Sequence, residues 1–366
     1  MGEDRQGGRA QELPPGLTGG PQRPHAALLA LSALALLPAC GGGGASPASV
    51  TTVTLAPEVA RAGTTLSVVS GETGQPVAGA RLVVAGRPYV ADAAGRVILG
   101  EDVKHVSFLD ILADGFQDRQ TLVRSDAELR YSLWPRSNPK AGLDEQLSAE
   151  LMFTSGTLCC PARPEDLGRR GLFRIRQGIT VSLVPDDVPA LQDGLTLRAL
   201  QRAADLTNTA NEGRVVFQIG TAEATGPRIR VMLDATICGS TGLACMAVSR
   251  DGHGYTTGGR LILADEPARL RIGVRGNLES VLAGIFAHEL GHALGFGHST
   301  KPGVMSVVNG RGTNILYFMQ TPDFSPAEKV LLRLSHERRP NTTFPDDDRS
   351  GPLAIAAERE ELVCVL

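Results

Sequence analysis

Between residues 50 and 123 the apolar positions come in short runs broken by polar ones. Val50–Leu55, Thr65–Val69, Ala80–Val84, Arg96–Leu99, Phe108–Leu112 and Thr121–Val123 each read as a strand. Turn-forming clusters lie between them: Gly71-Glu72-Thr73-Gly74, Ala85-Gly86-Arg87-Pro88, Asp92-Ala93-Ala94-Gly95 and Asp114-Gly115. Short strands at this spacing predict a small all-β sandwich over residues 51–137. His105 is its lone histidine.

From about residue 140 the period lengthens. Leu195–Asn208 repeats its apolar residues at helical spacing and predicts an amphipathic helix. Val215–Ile219, Ile229–Leu233 and Arg260–Leu263 read as strands. Asn277 is placed to cap a helix over Leu278–Leu294, with Glu279 in its first turn and Gly295 as its stop. Ser325, Pro326 and Glu328 have the N-cap, N1 and N3 chemistry of a last helix running to about Leu334. These elements predict an α+β domain over 140–338, a twisted mixed sheet with helices. Residues 339–366 read as a polar tail.

Upstream of both regions, Ala26–Leu37 is an apolar run of twelve residues with Arg23 before it. Such a run is too short to span a bilayer and fits the core of a signal peptide, with residues 1–39 as the leader. It ends in Leu37-Pro38-Ala39-Cys40, then a Gly/Ser-rich tether over 40–50. This junction resembles a bacterial lipoprotein signal. The resemblance implies lipidation of Cys40 and an exported protein anchored to a bacterial membrane or cell surface. A plain secretory leader is the alternative, and Pro38 departs from the usual small residue at its place.

Composition changes the picture little. A chain of 366 residues is long enough for two domains. A net charge of −3 provides no electrostatic footprint for nucleic acid. The cysteines fit export. Cys238 and Cys245 enclose a Gly/Ser-rich loop that a disulfide can close, and Cys364 can pin the tail to Cys159 or Cys160.

The candidate chemistry lies in residues 288–298, HELGHALGFGH. His288 and His292 stand four apart on the expected helix, so both imidazoles point from one face and can reach one cation. Glu289 is beside them. Gly295 turns the chain so that His298 can return as a third ligand. Three imidazoles and an open position make a catalytic arrangement for one Zn2+; structural zinc sites are closed and rich in cysteine. Asp and Gly residues near His253 show no calcium-loop spacing, and the sequence gives no indication of Ca2+.

The run HExxHxxGxxH, followed by Met305, resembles the metzincin zinc peptidases, and the stretch to Ser306 is most similar to the matrixins. The resemblance implies a zinc endopeptidase with His288, His292 and His298 as ligands. It implies hydrolysis by a zinc-activated water, with Glu289 as general base and acid, and Met305 in the hydrophobic Met-turn beneath the metal. The substrate is then a protein or peptide. It also implies an edge strand that pairs with substrate backbone, for which Gly258–Ala264 and Met246–Arg250 are candidates; either can equally be an ordinary inner strand. Val307 stands where some metzincins carry a tyrosine. Separately, Gly74–Ala80, Gly95 and Ala113–Phe116 resemble the carboxypeptidase regulatory-like β-sandwich, which implies a module with no chemistry of its own.

Overall fold

The computed structural model describes residues 59–104, 107–123, 129–153, 171–236, 243–266, 277–306, 322–344 and 346–349, and the backbone of 359–365. All belong to one compact unit, Leu55–Leu366. The leader, the tether, Cys40, the strand expected over Val50–Leu55, His105, Cys159, Cys160 and Cys238 lie outside the described residues. The architecture is mixed α+β, with several sheets and few helices. Among the described residues no helix is long and apolar enough to cross a membrane.

The N-terminal part is all β. Its strands are β1 (Val59–Ala60), β2 (Thr65–Ser70), β3 (Arg81–Val84), β4 (Arg87–Val90), β5 (Arg96–Ile98), β6 (Val103–Lys104), β7 (Phe108–Leu112), β8 (Arg119–Leu122) and β9 (Leu129–Leu133). A three-stranded sheet, β5-β2-β9, and a four-stranded sheet, β4-β3-β7-β8, share one core; β1 and β6 form a separate pair. The core is built by alternation. Leu66 and Val68 of β2, Leu82 and Val84 of β3, and Leu109 and Ile111 of β7 are buried, while their neighbours along each strand are more exposed. The turn at Gly95 needs its glycine twice over. Its φ is +69°, and a Cβ there would strike the Val68 carbonyl oxygen.

Past β9 come α1 (Glu145–Phe153), β10 (Arg174–Ile175), β11 (Ile179–Pro185), α2 (Pro189–Gln192), α3 (Gly194–Ala210), β12 (Val215–Ile219), β13 (Arg228–Leu233), β14 (Ala244–Arg250), β15 (Tyr255–Leu263), α4 (Leu278–Ala293), α5 (Pro326–Glu337) and β16 (Arg359–Val365). The sheet runs β12-β11-β13-β15-β14-β16, with β10 also on β15. β11, β12, β13 and β15 are mutually parallel. β14 runs antiparallel to β15 on one side and to β16 on the other. Helices α3 and α4 pack together, and α4 lies on β14 and β15. Asp193 caps α3 by accepting from the backbone N–H groups of Leu195 (2.7 Å) and Thr196 (2.9 Å).

Two expectations are corrected here. Gly258–Ala264 does not supply an edge, because β15 lies between β13 and β14. The segment read as a polar tail is held to the fold at residues 339–344 and 346–349. Arg338 is fully buried and grips Asp346 with two charge-assisted bonds of 2.6 and 2.7 Å. It also donates to the carbonyl of Ser132 in β9 at 3.1 Å. The Gln120 and Asp346–Asp348 backbones exchange hydrogen bonds, and buried Asp348 lies 3.5 Å from buried Arg119. Removing one member of such a buried pair strands the other's charge, at a cost of about 3–5 kcal/mol. The acidic residues at 346–348 therefore tie the segment after α5 to the β-rich part.

His336, in the last turn of α5, is buried, and among the described residues neither ring nitrogen has a hydrogen-bond partner. Burial, reinforced by the Arg174 and Arg214 cations, pushes its pKa down to about 3. Because the folded pKa lies below the unfolded one, the unfolded chain takes up the proton first. This contribution to stability is complete above the unfolded pKa of about 6.5 and is lost as pH falls toward 3. Between pH 7 and pH 5 the chain should lose about 2 kcal/mol more than His336→Leu in urea unfolding. Equal losses would remove His336 as the cause.

Candidate metal centre

Helix α4 begins where expected: the Asn277 side chain accepts from the backbone of Ser280 at 3.3 Å. Every residue from Ser280 to Ala293 is buried. A helix enclosed on all sides is a rigid base for side chains that must converge. Leu294 caps the end, and Gly295 takes φ +103°. A Cβ at Gly295 would collide with the Phe173 carbonyl, so both conformation and space demand glycine there. The chain then reverses and brings His298 back beside the last two turns of α4.

The three histidines meet there. Their candidate ligand nitrogens all lie within 4.8 Å of one another. His288 Nε2 is 3.0 Å from His292 Nε2 and 3.1 Å from His298 Nε2. The Nδ1 bonds fix which nitrogens carry protons. His288 Nδ1 lies 2.7 Å from the Val304 carbonyl, and His292 Nδ1 lies 2.7 Å from the Phe296 carbonyl. A carbonyl can only accept, so each Nδ1 is the N–H donor. In the neutral rings the two Nε2 lone pairs then face each other at 3.0 Å. Two acceptors repel at that distance, and a cation between them removes the repulsion. Burial also favours the neutral rings: the His288 pKa falls to about 4, although its bond to Val304 opposes the shift. The three imidazoles form a cluster that can hold a metal ion, and their Nδ1 bonds orient His288 and His292 as nitrogen ligands should be.

Glu289 is fully buried, and among the described residues neither of its carboxylate oxygens has a hydrogen-bond partner. Burial raises its pKa well above the ordinary carboxylate range. An orphaned carboxylate at full burial is costly, and it persists where the cost is offset by function or by a ligand.

Below the histidines the chain is held by groups distant in sequence. Met305 is fully buried, and its sulfur lies where a Cβ on Gly291 would be. Gly291, between the two helical histidines, thus lets Met305 pack against the helix. Glu328 accepts from the backbone N–H groups of Met305 (2.8 Å), Val304 (3.2 Å) and Ser325 (2.6 Å). One carboxylate therefore closes the capping box of α5 and fixes the turn whose Val304 carbonyl orients His288. On the other side α1 clasps the returning loop. Glu150 accepts from the Thr300 N–H at 2.9 Å, the Gly297 N–H donates to the Leu151 carbonyl at 2.7 Å, and Asp144 pairs with Lys301.

Comparison with known proteins gives no match: no family model, no curated protein and no solved structure aligns with the chain.

The structure thus brings His288, His292, His298, Glu289 and Met305 together from the residues named in the sequence. His253 is exposed and stands outside the cluster. Cys245 is disulfide-bonded, with its partner outside the described side chains. Gly291, Glu150, Asp144 and the carboxylate contacts of Glu328 were not singled out in the sequence as parts of the site. For Glu328 a signal existed, since its capping-box position directs a carboxylate toward backbone N–H groups.

Proposed function

We propose that the chain is a zinc-dependent endopeptidase of metzincin type. The observation that carries this reading is the buried, unpartnered Glu289 carboxylate beside three imidazoles whose Nε2 lone pairs converge. A neutral three-nitrogen donor set suits Zn2+ better than Mg2+ or Ca2+, which take oxygen ligands.

His288, His292 and His298 hold the ion. Bound there, zinc supplies Lewis acidity toward the scissile carbonyl and toward the attacking water. Glu289 accepts the proton of that water on a carboxylate oxygen and delivers it to the leaving amine. Burial, the cause of its raised pKa, holds the carboxyl away from bulk water. The Val304 and Phe296 carbonyls keep His288 and His292 in the ligand tautomer. Met305 supplies the apolar floor, and Glu328 holds it in place.

In this reading the β-rich N-terminal part is a module of the carboxypeptidase regulatory-like kind, and a lipid on Cys40 tethers the enzyme outside the cytoplasm. The test is a defined peptide library incubated with the purified, zinc-loaded chain, with products read by mass spectrometry. Cleavage should stop with 1,10-phenanthroline and return with added zinc. Absence of any cleavage product from the zinc-loaded chain, both whole and ended at residue 358, would refute the peptidase reading.

A further inference from the structure

The outer edge of β14 is filled by the chain itself. β16 pairs antiparallel along the length of β14, from Cys245 opposite Val365 to Arg250 opposite Arg359, with one register shift between Met246 and Ala247. β16 is the last strand of the sheet and joins it only through β14. Without it, β14 would be the sheet's edge, offering unpaired N–H and C=O groups to any extended chain. That edge belongs to the strand on which α4 rests, the helix that bears His288, Glu289 and His292. In the same structure His288, Glu289 and His292 have no exposed surface, and His298 has 3%.

We infer that Arg359–Val365 is an internal strand that occupies the docking edge for an extended peptide on β14 and must leave it before a substrate can pair there. The inference rests on the peptidase reading for its consequence, but its physical content is strand exchange at one edge. Backbone pairing is tolerant of sequence, so the chain's own segment and a foreign peptide compete for the same N–H and C=O groups. Attachment to the same chain gives the internal strand the advantage of a high effective concentration. The edge is therefore filled at rest, and the backbone of this segment pairs with the sheet through that edge alone.

The experiment compares the parent chain with the double variant Glu361→Pro/Leu362→Pro. Proline lacks the N–H that a ladder needs. Adjacent residues of an antiparallel strand alternate in bonding, so one of the two prolines removes a ladder bond whichever register class applies. Both chains also carry Cys364→Ser, so that no thiol link can retain the strand. A second variant ends at residue 358. The probe is a fluorescent peptide with the sequence of residues 359–366 and serine for its cysteine. Its binding is read by anisotropy in a Glu289→Gln background, where turnover is slowed enough to leave the probe intact.

Both variants should bind the probe at least about ten-fold more tightly than the parent, and the same peptide with proline at every second position, which lacks the N–H groups a ladder needs, should bind none of them. With Glu289 restored, both should cleave the peptide library at least about ten-fold faster than the parent. Equal probe binding by parent and variants would overturn the inference, as would loss of the folded state in both, since β16 would then be an obligatory part of the sheet. Tighter probe binding with no cleavage by any chain would leave the strand exchange standing and remove the peptidase reading instead.

Discussion

Glutamine in place of Glu289 is expected to lower peptide-bond hydrolysis by about 10²–10⁴-fold while leaving the zinc content of the chain unchanged. Glutamine keeps the volume of the buried side chain but can neither accept the water's proton nor pass it on. Because Glu289 is fully buried and has no partner among the described residues, no hydrogen bond of the fold is lost with the substitution. The neutral amide also avoids the burden of a buried charge, so the variant should unfold no more easily than the parent. The measurement is the turnover of a cleaved peptide from the library, with zinc content and urea unfolding recorded on the same samples. Turnover within a factor of two of the parent would exclude Glu289 as the proton carrier.

Alanine at His292 is expected to weaken zinc binding by well over 100-fold. This ligand is lost outright, whereas removing the orienting partner of a ligand already costs about 10–100-fold. His292 is the central choice because its Nδ1 bond to the Phe296 carbonyl ties the helix end to the turn that returns His298. Its loss leaves His288 and His298 with Nε2 atoms 3.1 Å apart but without a third nitrogen. Competition with a chromogenic zinc chelator reads the affinity. An unchanged affinity would mean that the ion, if bound, is held elsewhere.

What was legible in the sequence is what depends on local spacing. His288 and His292 share a face because four residues make about one helical turn, and Gly295 announces a reversal that no side chain with a Cβ could make beside Phe173. The caps at Asn277 and Ser325 were likewise readable from residue type and offset alone. What escaped depends on long-range pairing. Helix α1 carries Glu150, which meets Thr300 across 150 residues of chain, and nothing near Glu150 in sequence signals that role. The segment Arg359–Val365 begins with charged residues and reads as polar tail; its strand character comes from β14, more than 100 residues upstream. Strand β15 could not be told from an edge strand because its neighbours are set by the order of the whole sheet. The acidic residues at 346–348 read as part of a polar tail, and only the buried Arg338 and Arg119 explain them.

The claim on which the rest depends is that three imidazoles hold one zinc ion beside Glu289. Elemental analysis of the purified chain, set beside His292→Ala and His298→Ala, tests it most directly. The account predicts one zinc per wild-type chain after exhaustive dialysis and essentially none in either variant. A zinc-free wild type, after exposure to zinc, or a full zinc complement in both variants, would contradict it.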